Sequence, residues 1–338
     1  MDYFNIFFSQ LNVIDLSCYL RDILLFGGAL LINDAISALK GSWLLLRSIA
    51  VISSSVATIV STVLPLYLYF SIPNQTMIPL FFLLVLGAFI IHGVLTHILN
   101  DYVDHLSGTD EHSPAILSGG SRVIQTGYIT SDKLWKIGQF LIVLLLVTII
   151  TFTALSFYKL AILLSIGLWG AISYSLPPLQ LSYRPFLGEW LSTFPSVLFL
   201  GLAGAWLTLD HLPEWVLQNA VINALFCIAW VMVHHIPDLE ADKKAIPVKQ
   251  TSVVWSVEKF GIGFSRLPSL LYFGLTGVCV IWLGFDRLLA GFGLLAFVTA
   301  AVYLIIKMKV EDPEQVSTYE KIILILAMLN AVLLGIFI

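Results

Sequence analysis

Two stretches of this chain carry carboxylates at spacings suited to holding metal ions. In the first, Asn100, Asp101 and Asp104 are followed by Asp110 and Glu111; in the second, Asp238 and Asp242 bracket Glu240. Asp101 and Asp104 are three residues apart and Asp238 and Asp242 four, so each pair shares one helix face wherever a helix continues through it. Like charges on one face repel and are costly near lipid, which calls for a compensating cation. Hard divalent ions prefer carboxylate and carbonyl oxygen, and Mg²⁺ is commonly held by one or two carboxylates together with substrate phosphates. Two facing Asp pairs are therefore expected to hold two Mg²⁺ ions and, through them, a diphosphate. Arg122, Lys243, Lys244 and Lys249 suit its remaining oxygens, arginine by bidentate contact and lysine as a point charge. Any one of these acids alone would be an ordinary solvated loop residue; the joint occurrence of two clusters carries the metal reading.

The elements that must position them are membrane helices. Of 338 residues, 59% are hydrophobic and only 11% charged, whereas soluble domains carry about 25% charged residues. A spanning helix needs about 20 apolar residues. Nine such runs stand at 48–70, 77–99, 134–156, 160–177, 187–209, 216–237, 267–285, 288–306 and 320–338. They are continuously apolar rather than alternating, which selects helices over barrel strands. The fold class expected is an all-α membrane bundle of nine transmembrane helices. Residues 1–45 form a separate extension, read as interfacial helix: the run Ile23–Ile32 is too short to span, and Asp22 and Asp34 flank it where a signal peptide would be basic.

Nine spans place the N-terminal segment and the even-numbered loops on one side. That side holds Arg21, Lys40, Arg47, Arg122, Lys133, Lys136, Arg184, Lys243, Lys244, Lys249, Lys259, Arg266, Lys307, Lys309 and Lys321, against only Lys159 and Arg287 on the other. The positive-inside rule makes the crowded side cytoplasmic, so both acidic loops, Asn100–Lys133 and Asp238–Arg266, face the cytoplasm and the C terminus lies outside. A net charge of −4 without a basic, aromatic-rich run excludes a nucleic-acid partner. Cys18, Cys227 and Cys279 stand singly, so neither a disulfide framework nor a zinc site is indicated.

At this point the residues resemble a known family. Asn100-Asp101-Tyr102-Val103-Asp104, running on to Gly108-Thr109-Asp110, is similar to the first aspartate motif of the UbiA superfamily of intramembrane prenyltransferases, and Asp238-Leu239-Glu240-Ala241-Asp242-Lys243 to the second. Gly119-Gly120-Ser121-Arg122-Val123-Ile124-Gln125 with Gly127, and Tyr174-Ser175-Leu176-Pro177-Pro178 leading to Tyr183-Arg184 and Gly188-Glu189, most resemble the 1,4-dihydroxy-2-naphthoate polyprenyltransferases of menaquinone synthesis. The resemblance covers roughly residues 45–338. It implies a helix bundle around a central cavity, open laterally to lipid and capped by the two acidic loops. By the same resemblance Asn100, Asp101, Asp104, Asp238 and Asp242, with Asp110 in addition, would be the Mg²⁺-diphosphate residues, and Arg122 and Lys243 would contact the diphosphate. The implied reaction is ionisation of an allylic prenyl diphosphate and capture of the cation by an electron-rich ring. Aromatic faces stabilise such a cation, and Tyr102, Tyr174, Tyr183 and Trp169 are the candidates.

Three features depart from the pattern. Arg47-Ser48 stands where the first span usually opens with Arg-Pro, near the acceptor end of the cavity. His234 and His235 stand where asparagines are expected; either could donate a hydrogen bond, act as a base towards the acceptor, or be a satisfied residue at a helix end. His97 lies about one turn before Asn100, where it could face the cavity or pack. The readings to be separated are aromatic prenyl transfer, a terpene cyclase of the same superfamily needing no acceptor, and a carrier. A carrier would place its charges near the membrane midplane, and these acids sit at span ends.

Overall fold

A computed structural model of the chain describes residues 48–114, 118 and 120–338, with side chains from residue 53 within those ranges. The expected interfacial helix in residues 1–45 lies outside the described residues. The described chain is helical, with no strand. Its elements are α1 (Ser48–Tyr69), α2 (Asn74–Ser107), the single turn α3 (Thr109–His112), α4 (Ser131–Ala154), α5 (Tyr158–Ser175), α6 (Glu189–Thr208), α7 (Glu214–His234), the short α8 (Leu239–Lys244), α9 (Ser252–Phe260), α10 (Leu267–Leu283), α11 (Leu288–Lys307) and α12 (Pro313–Ile336). Eight helices, α2, α4 to α7 and α10 to α12, are long and apolar enough to cross a membrane; α1 is a further apolar helix beside them.

The bundle winds around α7. In its most apolar stretch 78% of residues are buried, against 11% for α4 at the periphery. One core joins α7 to α10, α11 and α12 through Phe226, Phe273 and Leu294, and a second joins α1 and the start of α2 to α6 and α7 through Ile59, Leu80 and Ala203. Small residues allow the closest approaches. A Cβ on Gly201 would meet the Ala220 Cβ at 2.9 Å, and one on Gly204 would meet Thr62 Cγ2 at 2.9 Å.

Helix ends differ from hydropathy in instructive places. The span expected at 77–99 is part of α2, which runs on for 34 residues. At about 1.5 Å per residue that is about 51 Å, longer than the ~30 Å hydrocarbon core, so its last turns emerge from the apolar layer carrying Asn100, Asp101 and Asp104. The first acid cluster therefore lies on a helix rather than in a loop beginning at Asn100, and the helix ends at Gly108, whose φ of 78° is the left-handed cap conformation. Between Phe89 and Leu95 α2 widens into a π-helical turn that contains His92; such turns re-aim side chains and recur at functional sites. The second acidic loop holds α8 and α9, the latter capped by Thr251 accepting from the Val254 amide at 3.2 Å. The last helix begins at Pro313 rather than 320, because Asp312 caps it by accepting from the Gln315 amide at 3.1 Å and proline suits the first helical position.

Replacing Gly204 by Leu is expected to cost about 1–3 kcal/mol through overpacking against Thr62 and Val63. Thermal unfolding in detergent checks it, and an unchanged midpoint would refute the close packing.

Candidate active site

The two acid clusters meet at one end of the bundle. Lys249, fully buried on the segment between α8 and α9, donates from Nζ to Asp104 Oδ1 and Oδ2 at 2.9 and 2.8 Å, and the same nitrogen lies 3.9 Å from Asp242 Oδ1. One ammonium thus joins the helix that carries the first motif to the helix that carries the second. Within the second, the four-residue spacing is realised as a helical turn, since the Asp242 amide donates to the Asp238 carbonyl at 2.8 Å. The loop between α3 and α4 closes over both. Ser118 Oγ donates to Asp238 at 3.2 Å, Ser121 donates to Asp101 from its amide at 3.2 Å and from its hydroxyl, and Gln125 Nε2 donates to Asp110 at 3.2 Å. Gly120 makes this closure possible. Its φ is 66°, and a Cβ there would lie 2.5 Å from Asp110 Oδ1.

This end carries more negative charge than its donors satisfy. Both Asp242 oxygens are buried and accept no hydrogen bond. Asp110 is pushed up to about 8, by burial first and then by the Asp104 and Asp101 charges; Asp238 is pushed up to about 6, by burial and then by Asp242. Against the cost of burial, the Asp104 and Asp242 charges hold the Lys249 ammonium well above its ordinary value. Among the described residues no three His, Cys, Asp or Glu side chains stand ready as a complete metal site. Yet bare carboxylate oxygens facing a cation of the protein's own are the donor set a hard divalent ion would take, with phosphate oxygens completing the shell.

From the acids a cavity of about 220 Å³ runs into the bundle, many times the ~30 Å³ share of one water. Asn100, Asp104, Asp238 and Lys249 line its mouth, with Tyr174 and His234 at the adjoining ends of α5 and α7; Ser55, Thr58, His92 and Ser196, each further along its helix, line it deeper in. Residues 59–328 match the model of the UbiA prenyltransferase family. The chain belongs to that family. No curated protein and no solved structure matches the chain.

Set against the UbiA motifs, the structure places the sequence-derived residues in three groups. Asn100, Asp104, Asp238 and Tyr174 line the cavity, as do Lys249, His97 and both histidines of the pair; Asn100 Nδ2 donates to Asp104 Oδ2 at 2.9 Å, and the Tyr174 hydroxyl lies 3.2 Å from His235 Nε2. Asp101, Asp110 and Asp242 are buried around it, and Tyr183 lies with its ring 5.8 Å from the Lys249 ammonium. The third group faces other partners. Arg122 donates to the Ser113 carbonyl at 3.3 Å, Lys243 pairs with Glu240 at 3.2 Å, Tyr102 stacks on Trp135 with centroids 4.8 Å apart, and Trp169 is exposed while donating to the Leu191 carbonyl. The cavity-lining residues that escaped the sequence reading include Ser55, Thr58, Ser196 and Trp230, with Glu320 on α12 behind the wall. Glu320 does fall on the helical stripe Val316, Glu320, Ile323, Leu324 that α12 buries, and an acid on such a stripe is a signal.

Two outcomes follow for the metal-free protein. Lys249→Met, which strips the cation from buried Asp104 and Asp242, is expected to lower stability by about 3–5 kcal/mol, with Mg²⁺ restoring part of the thermal midpoint; insensitivity to Mg²⁺ would count against the shared cation site. Because Asp110 and Asp238 titrate above their ordinary 3.8 in the folded chain, their neutral forms favour the fold, and stability is expected to fall as pH rises from about 4 to about 8. Unfolding midpoints across that range check the sign, and Asp110→Asn should flatten the slope.

Proposed function

We propose that this UbiA-family protein transfers a prenyl group from an allylic prenyl diphosphate to a hydroxylated aromatic acceptor of the 1,4-dihydroxy-2-naphthoate or related quinone-precursor class, with Mg²⁺ at the acid clusters. The observation that carries the reading is the single cavity joining the two acid motifs to a hydroxyl- and imidazole-lined interior. Its mouth suits the diphosphate: Asp242 has two buried oxygens without hydrogen bonds, and Lys249 is a cation within reach of the same place. Bound Mg²⁺ supplies Lewis-acid neutralisation of the charge that develops on the leaving group. Asp101, Asp104, Asp238 and Asp242 would hold it, with Asn100 orienting Asp104 and Lys249 turning to phosphate oxygens.

The interior favours an acceptor over a bare hydrocarbon. Ser55 Oγ lies 3.3 Å from His92 Nδ1, while Thr58 and Ser196 donate to their own helix backbone and keep oxygen lone pairs for a ligand. Such oxygens accept from ring hydroxyls, whereas a cavity that only folds an isoprenoid chain has no use for them. Tyr174 and Trp230 supply aromatic faces for the cation. Burial away from water protects it. The charge split of the sequence supports a cytoplasmic acid mouth and a C terminus outside.

The test is incubation of purified protein and Mg²⁺ with prenyl diphosphates of several lengths, with and without 1,4-dihydroxy-2-naphthoate, read by mass spectrometry. A prenylated naphthoate and free diphosphate are expected, abolished by chelation and reduced about 10²-fold or more in Asp101→Asn and Asp242→Asn. A cyclic hydrocarbon formed without acceptor would overturn the proposal.

A further inference from the structure

The cavity contains a histidine whose partner the diphosphate chemistry leaves unused. His234 ends α7, and its Nδ1 lies 2.6 Å from Oε1 of Glu320 on α12. Glu320 is fully buried and its second oxygen accepts no hydrogen bond. Trp230, one turn earlier on α7, donates from Nε1 to the Glu320 backbone carbonyl at 3.1 Å, and its ring stacks on the imidazole with centroids 5.5 Å apart. These contacts hold the Glu320 backbone against α7 and set the plane of the imidazole. With Glu320 as the acceptor, the hydrogen between them sits on Nδ1, and in the neutral ring of that tautomer Nε2 carries the lone pair. The imidazole is 25% exposed and lines the cavity, so Nε2 is the nitrogen a ligand can meet. A carboxylate orienting one imidazole nitrogen while the other faces the reactant is the arrangement of a general base.

We propose that His234 is the base that removes the proton from the aromatic acceptor, and that Glu320 positions it. The inference rests on the acceptor reading given above. In the step concerned, the C–O bonding pair leaves with the diphosphate, and a π pair of the ring forms the new C–C bond to the allylic carbon. As that bond forms, the O–H bond of the neighbouring ring hydroxyl breaks; its electrons become the π pair of a ring carbonyl and its proton passes to His234 Nε2, giving an imidazolium beside the Glu320 carboxylate. Loss of CO2 from the attacked carbon, with return of that proton to the ring oxygen, restores the aromatic ring. Two other histidines that line the cavity are engaged differently. His235 has Nε2 at 3.2 Å from the Tyr174 hydroxyl and Nδ1 at 3.9 Å from Asp242, and His92 has Nδ1 at 3.3 Å from Ser55.

The experiment has two arms. Nitrogen-15 NMR of histidine-labelled wild-type protein in lipid nanodiscs, with the His234 signal assigned by its loss in His234→Gln, reads the tautomer without any substrate. The neutral ring is expected to be protonated at Nδ1; a neutral ring protonated at Nε2 would overturn the inference. The second arm uses geranylgeranyl diphosphate, Mg²⁺ and 1,4-dihydroxy-2-naphthoate, and measures the ratio of prenylated ring to free prenyl alcohol. His234→Gln is expected to lower that ratio about 10²-fold, within the range for loss of a general base. Glu320→Gln should lower it less, and Glu320→Asp should recover it in part. An unchanged ratio in His234→Gln while wild type prenylates the ring overturns this inference alone. A wild-type protein that prenylates no ring overturns the proposed function and this step with it.

Discussion

The organisation of the molecule depends on a concentration of buried carboxylate at one end of an apolar bundle. Asp101, Asp104, Asp110 and Asp242 are all nearly inaccessible, and moving such groups out of water costs several kcal/mol each unless cations and donors compensate. The chain supplies one buried ammonium, from Lys249, and a set of hydroxyl, amide and backbone donors from the loop around Ser118, Ser121 and Gln125. The remainder is visible as upward shifts of Asp110 and Asp238. Everything that converges there serves to share this charge: the emergent end of α2, the turn into α8, the segment carrying Lys249, and the loop whose Gly120 leaves room for Asp110. The Ile246 amide donating to the Ser107 carbonyl at 2.9 Å ties the two motif-bearing regions by backbone as well.

Much of this was legible in the chain, for a physical reason. Lipid excludes water, so every span must announce itself as a long apolar run, and the carboxylates stand out against that background. What hydropathy misses is whatever is decided by hydrogen bonds at span ends. The helix through Asn100 and Asp104 reads as a loop because it is polar, yet a helix that has left the hydrocarbon is free to be polar. The start of α12 reads late because the Asp312 cap and the charged first turns carry no apolar signal. Lys249 was visible only as one of several nearby cations; its selection over Lys243 depends on which of them the chain path between α8 and α9 buries. Glu320 was hidden by its position at the edge of an apolar run, although its burial phase on α12 marks it.

The distribution of polarity also inverts that of a soluble protein. Phe82, Phe140, Ile281 and Phe285 are exposed on the outside of the bundle, whereas Ser55, Thr58, Ser192 and Ser196 face inward. In water such a surface would aggregate; in lipid it is the solvated face, and the interior hydroxyls become the unusual feature requiring a ligand or a structural role. Ser192 has the structural role, donating to the Gly170 carbonyl at 2.7 Å and tying α5 to α6. Ser55, beside His92, belongs to the cavity wall.

The adjacent histidines at the end of α7 show how one helix terminus can serve two kinds of chemistry. Successive residues on a helix project about 100° apart, and the rings of His234 and His235 lie nearly perpendicular, at 84°. One consequence is that His235 is turned to Tyr174 and Asp242, towards the charged mouth, while His234 is turned to Glu320 on a different helix. A proton taken up at the mouth would add positive charge where the aspartates already attract it and would compete with the cation that the diphosphate brings. On the proposed assignment, a proton taken up on His234 would meet a carboxylate of its own, Glu320, rather than one of the acid-cluster carboxylates. On the proposed reading, separate carboxylates would serve two charges in sequence, the one leaving with the diphosphate and the one leaving with the proton.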